Sequence, residues 1–232
     1  MTPQRGYQDF EIRRLSELIC ELEKKGVCGL DRFLRILSER VANRQEYLDV
    51  YKEGLFSCTL SRNGFTNICI EFAADGPDIK ADFNQQTSYF EVKRRRPNED
   101  DGKYDGVTRA VGSDSDQAII SKIQEKLSQL VEGEINVIVL WSSTVRLNDW
   151  DVRNAFDYIK QEIENDRERY CRISGVLFTG EEGINIPTLR QYYLFKNERA
   201  SQPLDDSLFK KLDSLHTEDP QKLRKRYKHL GA

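Results

Sequence analysis

The stretch 78-DIKADFNQQTSYFEVK-93 decides the fold, because polar and apolar residues alternate in two runs, 78–83 and 88–93, on either side of a short polar link. Strict alternation predicts a β-strand with one buried face. Two such runs around a short link predict an antiparallel hairpin. We expect a four-residue connection, 84–87, so that Phe83 pairs with Ser88.

This register predicts which side chains share a face of the hairpin. It sets Asp78 opposite Lys93, Lys80 opposite Glu91, and Asp82 opposite a tyrosine. Because side chains alternate along a strand, the apolar residues of both runs point into the core and the charged residues point the other way. The hairpin therefore gathers two carboxylates, Asp78 and Glu91, beside the Lys93 ammonium.

Such a constellation suits metal-assisted chemistry at a phosphoryl group. Two neighbouring carboxylates repel each other, and a shared Mg²⁺ or Mn²⁺ relieves that repulsion. A metal of this kind polarises a phosphoryl oxygen and lowers the pKa of a bound water, and a lysine beside it positions that water or neutralises developing charge. The alternative is an ordinary ladder of charges on the wet face of a hairpin.

The elements around the hairpin alternate between helical and strand periodicity. Apolar residues at helical spacing predict helices, and short apolar or alternating runs predict strands. Three segments follow: a helical hairpin at 1–44, a main domain at 45–200, and a short helix with a basic tail at 201–232. Within the main domain we predict helices at 45–63, 114–131 and 149–169, and strands at 66–72, 78–83, 88–93, 135–141, 173–179 and 191–196.

Composition excludes several classes of protein. The chain has 232 residues, of which 38% are hydrophobic, enough to build a core and to exclude wholesale disorder. No apolar run is long enough to span a bilayer and the N-terminus is charged, so we expect a soluble, unexported, cytoplasmic protein. The five cysteines are scattered without a Cys-x-x-Cys pair, which argues against a disulfide framework and a zinc site. Both histidines, His216 and His229, lie in the tail, so a histidine-based catalytic centre is excluded from the core.

The sequence Gly76-Pro77-Asp78-Ile79, followed by Tyr89-Phe90-Glu91-Val92-Lys93, resembles the signature of the PD-(D/E)XK nuclease superfamily. The surrounding order of predicted elements, helix, three strands, helix and strand over residues 53–141, is similar to that family's core. The resemblance implies an α/β fold with a restriction-endonuclease-like core (αβββαβ), whose mixed sheet is flanked by helices, and here an N-terminal helical extension.

The resemblance also implies roles for individual residues. Asp78 and Glu91 look like the metal ligands, and Lys93 like the catalytic lysine. Members of the family often add an acidic residue on the helix before the first strand, a position that Glu53 fills, with Glu46 as its competitor. Asp82 is the alternative motif aspartate, but its register keeps it away from Lys93.

Basic and polar residues near this site are candidates for contact with nucleic acid. On the helix after the third strand, Lys126 and Gln129 belong to a polar stripe that begins at Lys122, and some relatives use such a residue at the site. The run Arg94, Arg95 and Arg96 continues from the catalytic strand, where it would meet phosphates. An exposed polar stripe and a solvated charge run are the alternatives.

We therefore expect a metal-dependent endonuclease that hydrolyses DNA phosphodiester bonds with Mg²⁺ or Mn²⁺. One alternative is a catalytically silent nuclease-fold protein that binds nucleic acid or a protein, since the net charge of −3 is unlike that of a dedicated nucleic-acid binder. Another is an interaction protein assembled through its N-terminal helices. By analogy with restriction-type nucleases, which often need two active sites, those helices are also a candidate homodimer interface.

Overall fold

The computed structural model describes residues 5–70, 76–95, 114–142, 149–180 and 192–215. Within these ranges the helices and strands occur in the predicted order, except that the helix predicted at 149–169 is divided into two at Asp166. The helices are α1 (Arg5–Lys24), α2 (Leu30–Arg40), α3 (Arg44–Arg62), α4 (Asp114–Lys126), α5 (Asp149–Asn165), α6 (Arg167–Tyr170) and α7 (Asp206–Asp213). The strands are β1 (Thr66–Ile70), β2 (Ile79–Phe83), β3 (Gln86–Arg95), β4 (Ile135–Ser142), β5 (Gly175–Gly180) and β6 (Tyr192–Lys196).

The strands of the described residues form one six-stranded mixed sheet in which neighbours in the chain are neighbours in the sheet. Strands β1, β2 and β3 pair antiparallel, β3, β4 and β5 pair parallel, and β6 returns antiparallel to β5. A parallel pair needs a long crossover connection, and α4 and α5 lie within the two connections. The predicted α/β class, with a mixed sheet flanked by helices, is confirmed.

Two apolar clusters cover the two faces of the sheet. The first combines residues of α1, α2, α3 and α7 with one face of the strands, including Phe90 and Val139. The second combines α4 and α5 with the opposite face, including Ile138 and Leu140. The N-terminal helices thus share a core with the sheet. No helix in the described part of the chain is long and apolar enough to cross a membrane.

The register of the β2–β3 hairpin differs from the prediction by two residues. Phe83 pairs with Gln86 and Ile79 pairs with Phe90, so the connection is the two-residue turn Asn84 and Gln85. Both turn residues have positive φ, 49° and 67°. A turn of this kind twists in the same sense as the strands that it joins, and asparagine tolerates it without glycine. Because a shift of two preserves the alternation, the predicted division into polar and apolar faces remains.

Helix α3 is fixed at both ends by local signals. The Asn43 side chain accepts hydrogen bonds from the backbone N–H groups of Gln45 at 3.1 Å and Glu46 at 3.4 Å, which caps the first turn. After Arg62 the chain turns through Gly64, whose φ of 85° is readily adopted only by glycine. The predicted stop of this helix at Gly64 is confirmed. The caps set the length of the helix, and its apolar residues pack on the first face of the sheet.

The segment between α1 and α2 is tied to the edge strand β1. Cys28 forms an isolated parallel bridge with Cys69, and their sulfur atoms form a disulfide with a Cα–Cα distance of 4.4 Å. The sequence argued against a disulfide framework and did not predict this one pair. The two residues are 41 positions apart, and only the pairing of their segments, which sequence spacing does not reveal, brings them together.

Candidate active site

The candidate site lies where the chain enters β2 beside the middle of β3. Alternation along β3 directs Glu91 and Lys93 to the face covered by α4. Asp78 immediately precedes β2, one position beyond the Ile79–Phe90 pair, so it lies beside Glu91 and not opposite Lys93 as predicted. Its Oδ2 atom accepts a hydrogen bond of 2.7 Å from the backbone N–H of Val92. This bond fixes the Asp78 carboxylate against β3.

Glu91 is a buried carboxylate at the centre of the cluster. Its residue is 1% exposed, and its Oε1 atom accepts a hydrogen bond from the Lys126 ammonium. Its Oε2 atom is buried and accepts no hydrogen bond within the described residues. Burial raises the pKa of Glu91, while the neighbouring Lys126, Asp78 and Lys93 act to lower it. The carboxyl group is thus held in a dry environment by neighbouring charges.

The pair formed by Asp78 and Glu91 offers oxygen ligands of the kind that hard cations prefer. Two ionised carboxylates repel each other, and a shared proton, a neighbouring ammonium or a bound cation relieves that repulsion. The buried Oε2 atom of Glu91 is an oxygen ligand without a donor. In the described ranges no three acidic, cysteine or histidine side chains converge on one metal position. Two carboxylates could still serve a cation such as Mg²⁺, which commonly uses one or two carboxylates and completes its shell with water and substrate phosphates.

Lys93 points to the same face and is partly buried. Burial lowers its pKa, and the charges of Lys126 and Lys122 lower it further, whereas Glu125 and Asp49 raise it. A lysine with a lowered pKa carries a neutral amine in a larger fraction of molecules, which suits it to accept a proton. The site thus combines two carboxylates with several ammonium groups.

The polar side chains predicted on α4, Lys126 and Gln129, are both linked to Glu91, Gln129 through Lys126. Lys126 contacts Glu91 and also donates a hydrogen bond of 2.6 Å to the side-chain oxygen of Gln129. Lys122 lies one turn earlier and pairs with Glu125 at 2.6 Å. Glu125 was not among the predicted residues, although its spacing of three from Lys122 is a usable signal. Helix α4 therefore presents a row of ammonium groups to β3.

The acidic residues predicted on α3 are placed differently from each other. Glu53 is buried, 7% exposed, in the middle of the helix, and the described residues hold no three-carboxylate cluster that includes it. Its role as a further ligand stays a prediction. The competitor Glu46 contacts Arg40 and accepts a hydrogen bond of 2.7 Å from the Asn43 side chain at the start of the helix. Glu46 thus serves the cap of α3.

Asp82 and Arg94 have structural partners. Asp82 accepts hydrogen bonds from the side chains of Asn67 at 2.8 Å and Thr87 at 2.7 Å, which fixes it at the far end of the hairpin. Arg94 was expected to meet phosphate, but it alternates to the opposite face from Lys93 and is 3% exposed. Its guanidinium bonds to Asp49 of α3 at 2.8 Å. This orientation does not present Arg94 to a phosphate at the carboxylate pair.

Part of the predicted basic surface lies outside this description. Arg95 is the last residue of β3, and Arg96 falls outside the described residues, as does the basic run of the tail. Asp49, the partner of Arg94, was not predicted. Its spacing of four from Gln45, whose backbone oxygen accepts a bond of 3.1 Å from Arg94, marks one polar stripe of α3.

A scan against protein-family models, a search of curated proteins and a search of solved structures each returned no match.

Proposed function

We propose that this protein is a metal-dependent nuclease that hydrolyses phosphodiester bonds of DNA. The observation that carries the proposal is the pairing of Asp78 with the buried Glu91, beside Lys93. Burying two neighbouring carboxylates beside several lysines lowers the stability of a fold. Proteins commonly carry such destabilising groups at functional sites. The combination of hard-cation ligands with ammonium groups is the chemistry that phosphoryl groups require.

The order of elements supports the finer assignment to a restriction-endonuclease-like core. The run α3, β1, β2, β3, α4, β4 matches the order that the PD-(D/E)XK resemblance implies. In that frame β5 and β6 extend the sheet beyond the core, and α1 and α2 are the N-terminal extension. The assignment rests on this order and on the position of the motif residues, Asp78 before β2 and Glu91 with Lys93 on β3.

Asp78 and Glu91 are the residues that would hold Mg²⁺ or Mn²⁺, with Glu53 kept as a predicted third ligand. When bound, the ion supplies polarisation of a phosphoryl oxygen and a lowered pKa of bound water. Val92 keeps Asp78 oriented through its backbone N–H. The buried position of Glu91 excludes bulk water from one side of the pair.

The lysines have separate roles in this proposal. Lys93 accepts a proton from the attacking water or neutralises charge that develops at phosphorus, and its lowered pKa suits the first role. Lys126 and Gln129 lie at the edge of the pair, where they are proposed to contact the phosphate backbone. Dimerisation through the N-terminal helices stays a prediction.

The test is cleavage of nucleic acid by the purified chain. Supercoiled plasmid, linear duplex, single-stranded DNA and RNA are incubated with Mg²⁺, Mn²⁺ or EDTA. We expect metal-dependent cleavage of DNA that falls by at least about 100-fold in Asp78→Asn, Glu91→Gln and Lys93→Met, the usual contribution of one acid–base or electrostatic group. Cleavage confined to RNA would correct the substrate.

Two matched controls lie on the same hairpin. Asp82→Asn neutralises a carboxylate that bonds to Asn67 and Thr87, and Lys80→Met removes a lysine from the same polar face. Both should cleave like the unchanged protein. Absence of cleavage of every substrate by the unchanged protein, or equal loss in these controls, would overturn the proposal.

The second candidate is a catalytically silent nuclease-fold module that binds nucleic acid or a protein. The observation that favours it is the contact between Lys126 and Glu91, which already neutralises one of the two carboxylates. This candidate predicts nucleic-acid or protein binding that is unchanged by EDTA and by Glu91→Gln. Metal-dependent cleavage excludes it.

A further inference from the structure

The contact between Lys126 and Glu91 joins two side chains that are largely removed from water. The Glu91 side chain is 0% exposed and the Lys126 side chain is 14% exposed. Such a pair is stabilised by mutual attraction and is costly to break in one half only, because the remaining charge stays buried. Lys126 is therefore the counter-charge of Glu91 in this dry site.

The Lys126 ammonium lies next to the carboxylate that a divalent cation would also need as a ligand. A cation shared by Asp78 and Glu91 would take a Glu91 oxygen as a ligand while Lys126 is bonded to the other oxygen of the same carboxylate. A divalent cation bound to the same carboxylate would be repelled strongly by the Lys126 ammonium, because charges in a buried site are poorly screened. The two cations thus compete for one carboxylate.

Lys126 also has a second acceptor within reach. Its ammonium donates a hydrogen bond of 2.6 Å to the Gln129 side chain, which lies in the turn that follows α4. Gln129 is uncharged, so it accepts the ammonium without competing for a metal. The lysine can leave Glu91 and still keep a hydrogen bond.

We propose that Lys126 is a resident counter-cation of Glu91 which a divalent metal displaces toward Gln129 when it binds between Asp78 and Glu91. This inference rests on the metal site of the proposed function. Lys126 is then a positioning residue: it keeps the carboxylate in place without metal and sets the concentration of metal at which the site fills. After displacement its charge faces the position of a substrate phosphate.

The experiment compares the unchanged protein with Lys126→Met, which keeps the length of the side chain and removes its charge. Mn²⁺ alone is titrated by calorimetry, and thermal unfolding is recorded with and without Mn²⁺. We expect Lys126→Met to bind Mn²⁺ at least about tenfold tighter, because the competing charge is gone. Its metal-free melting temperature should be lower, and Mn²⁺ should raise that temperature by more than in the unchanged protein.

The control is Lys122→Met, which removes an ammonium one turn earlier on α4 that pairs with Glu125 instead. It should bind Mn²⁺ within about twofold of the unchanged protein, because the Lys122 ammonium is paired with Glu125, is partly exposed and makes no contact with Glu91 in the described structure. Should Lys126→Met not fold, Lys126→Gln carries the comparison, since its amide offers a hydrogen-bond donor without a charge.

The outcomes separate this inference from the nuclease proposal. Equal or weaker Mn²⁺ binding by the Lys126 variants, or no Mn²⁺ binding by any form, overturns the inference. A residue with a merely structural role would weaken metal binding as it weakens the fold, so tighter binding by a less stable variant identifies competition. If Lys126→Met binds Mn²⁺ more tightly but the unchanged protein cleaves nothing, the inference stands and the nuclease proposal is overturned. If the unchanged protein cleaves DNA but Lys126→Met binds Mn²⁺ with the same affinity as the unchanged protein, the nuclease proposal stands and the inference is overturned.

Discussion

Cys58 shows how strongly burial changes the pKa of a single residue. The residue is 1% exposed on α3, and burial, reinforced by Glu21, raises the pKa of its thiol from 9.0 to about 12. A thiol in this state is neutral at physiological pH and reacts slowly with alkylating reagents. Cys20, by contrast, is a free cysteine on an exposed part of α1.

The raised pKa of Cys58 predicts a loss of stability in alkali. Between pH 9.0 and about 12 the unfolded chain loses the thiol proton that the folded protein keeps. The contribution of Cys58 is therefore complete below that window and decreases by about 1.4 kcal/mol per pH unit as pH rises through it. Urea unfolding at a series of pH values should show a steeper decline in the unchanged protein than in Cys58→Ala. Parallel pH profiles would contradict the shift.

The sequence identified individual site residues where local alternation decides their direction. Asp78, Glu91 and Lys93 could be placed on one polar face because each side chain follows the period of its strand. Arg94 obeys the same alternation, yet its role depends on Asp49, which lies 45 positions earlier on another element. Likewise, nothing in the local pattern says that Lys126 meets Glu91. Partners between elements depend on packing, which a single sequence does not encode visibly.

At the scale of elements, the β2–β3 turn is the clearest case in which a backbone conformation resists prediction. Hairpins with a two-residue turn are usually signalled by glycine, but here Asn84 and Gln85 occupy the positions with positive φ. The strands themselves were predictable from their alternation, whereas the register depended on the turn and was wrong by two residues. The error moved Asp78 from beside Glu91 to a position opposite Lys93.

The strained turn predicts that glycine stabilises the hairpin. Gln85 has a φ of 67°, a conformation that costs an L-residue about 1 kcal/mol and costs glycine little. Gln85→Gly should raise the free energy of unfolding by roughly 0.5 kcal/mol after the extra entropy of the unfolded glycine is subtracted. Gln86→Gly, one residue later within β3, should lower it by a similar amount. Urea unfolding measures both, and the same sign for both would contradict the turn assignment.

Gly29 controls the joint between the N-terminal helices and β1. It has a φ of 82°, and a Cβ atom there would lie 1.8 Å from the backbone oxygen of Ile70. Gly29→Ala should therefore destabilise the protein by more than about 3 kcal/mol, because the edge strand itself must move. Gly26→Ala is the matched control: its φ is 67° and no atom lies within 4 Å, so only the backbone cost of about 1–2 kcal/mol applies. Equal losses in chemical denaturation would show that no close approach exists.

At the scale of the whole molecule, the two faces of the sheet differ in polarity. The first face carries the larger apolar cluster, to which α1, α2, α3 and α7 contribute. The second face is apolar around β4 and β5 but polar where β3 meets α4, and there the carboxylates and lysines lie. Periodicity could predict the elements. It could not show that the predicted N-terminal hairpin joins the main core, because each amphipathic helix has an apolar side whatever it packs against.

The Cys28–Cys69 disulfide links the segment between α1 and α2 covalently to β1. It predicts how oxidation changes the stability of the whole chain. The bond closes a segment of 41 residues that contains α2 and α3. Constraining a loop of this length in the unfolded chain stabilises the folded state by about 2–4 kcal/mol. Guanidinium unfolding should therefore show a lower free energy with reductant than without it, and Cys28→Ser/Cys69→Ser should be insensitive to reductant. Cys20→Ser keeps the Cys28–Cys69 disulfide and should respond to reductant like the unchanged protein.

Alkylation of the denatured, unreduced chain tests the same bond and should label Cys20, Cys58 and Cys171 only. Labelling of all five cysteines in oxidised protein would mean that hydrogen bonds and packing alone hold the segment between α1 and α2 against β1.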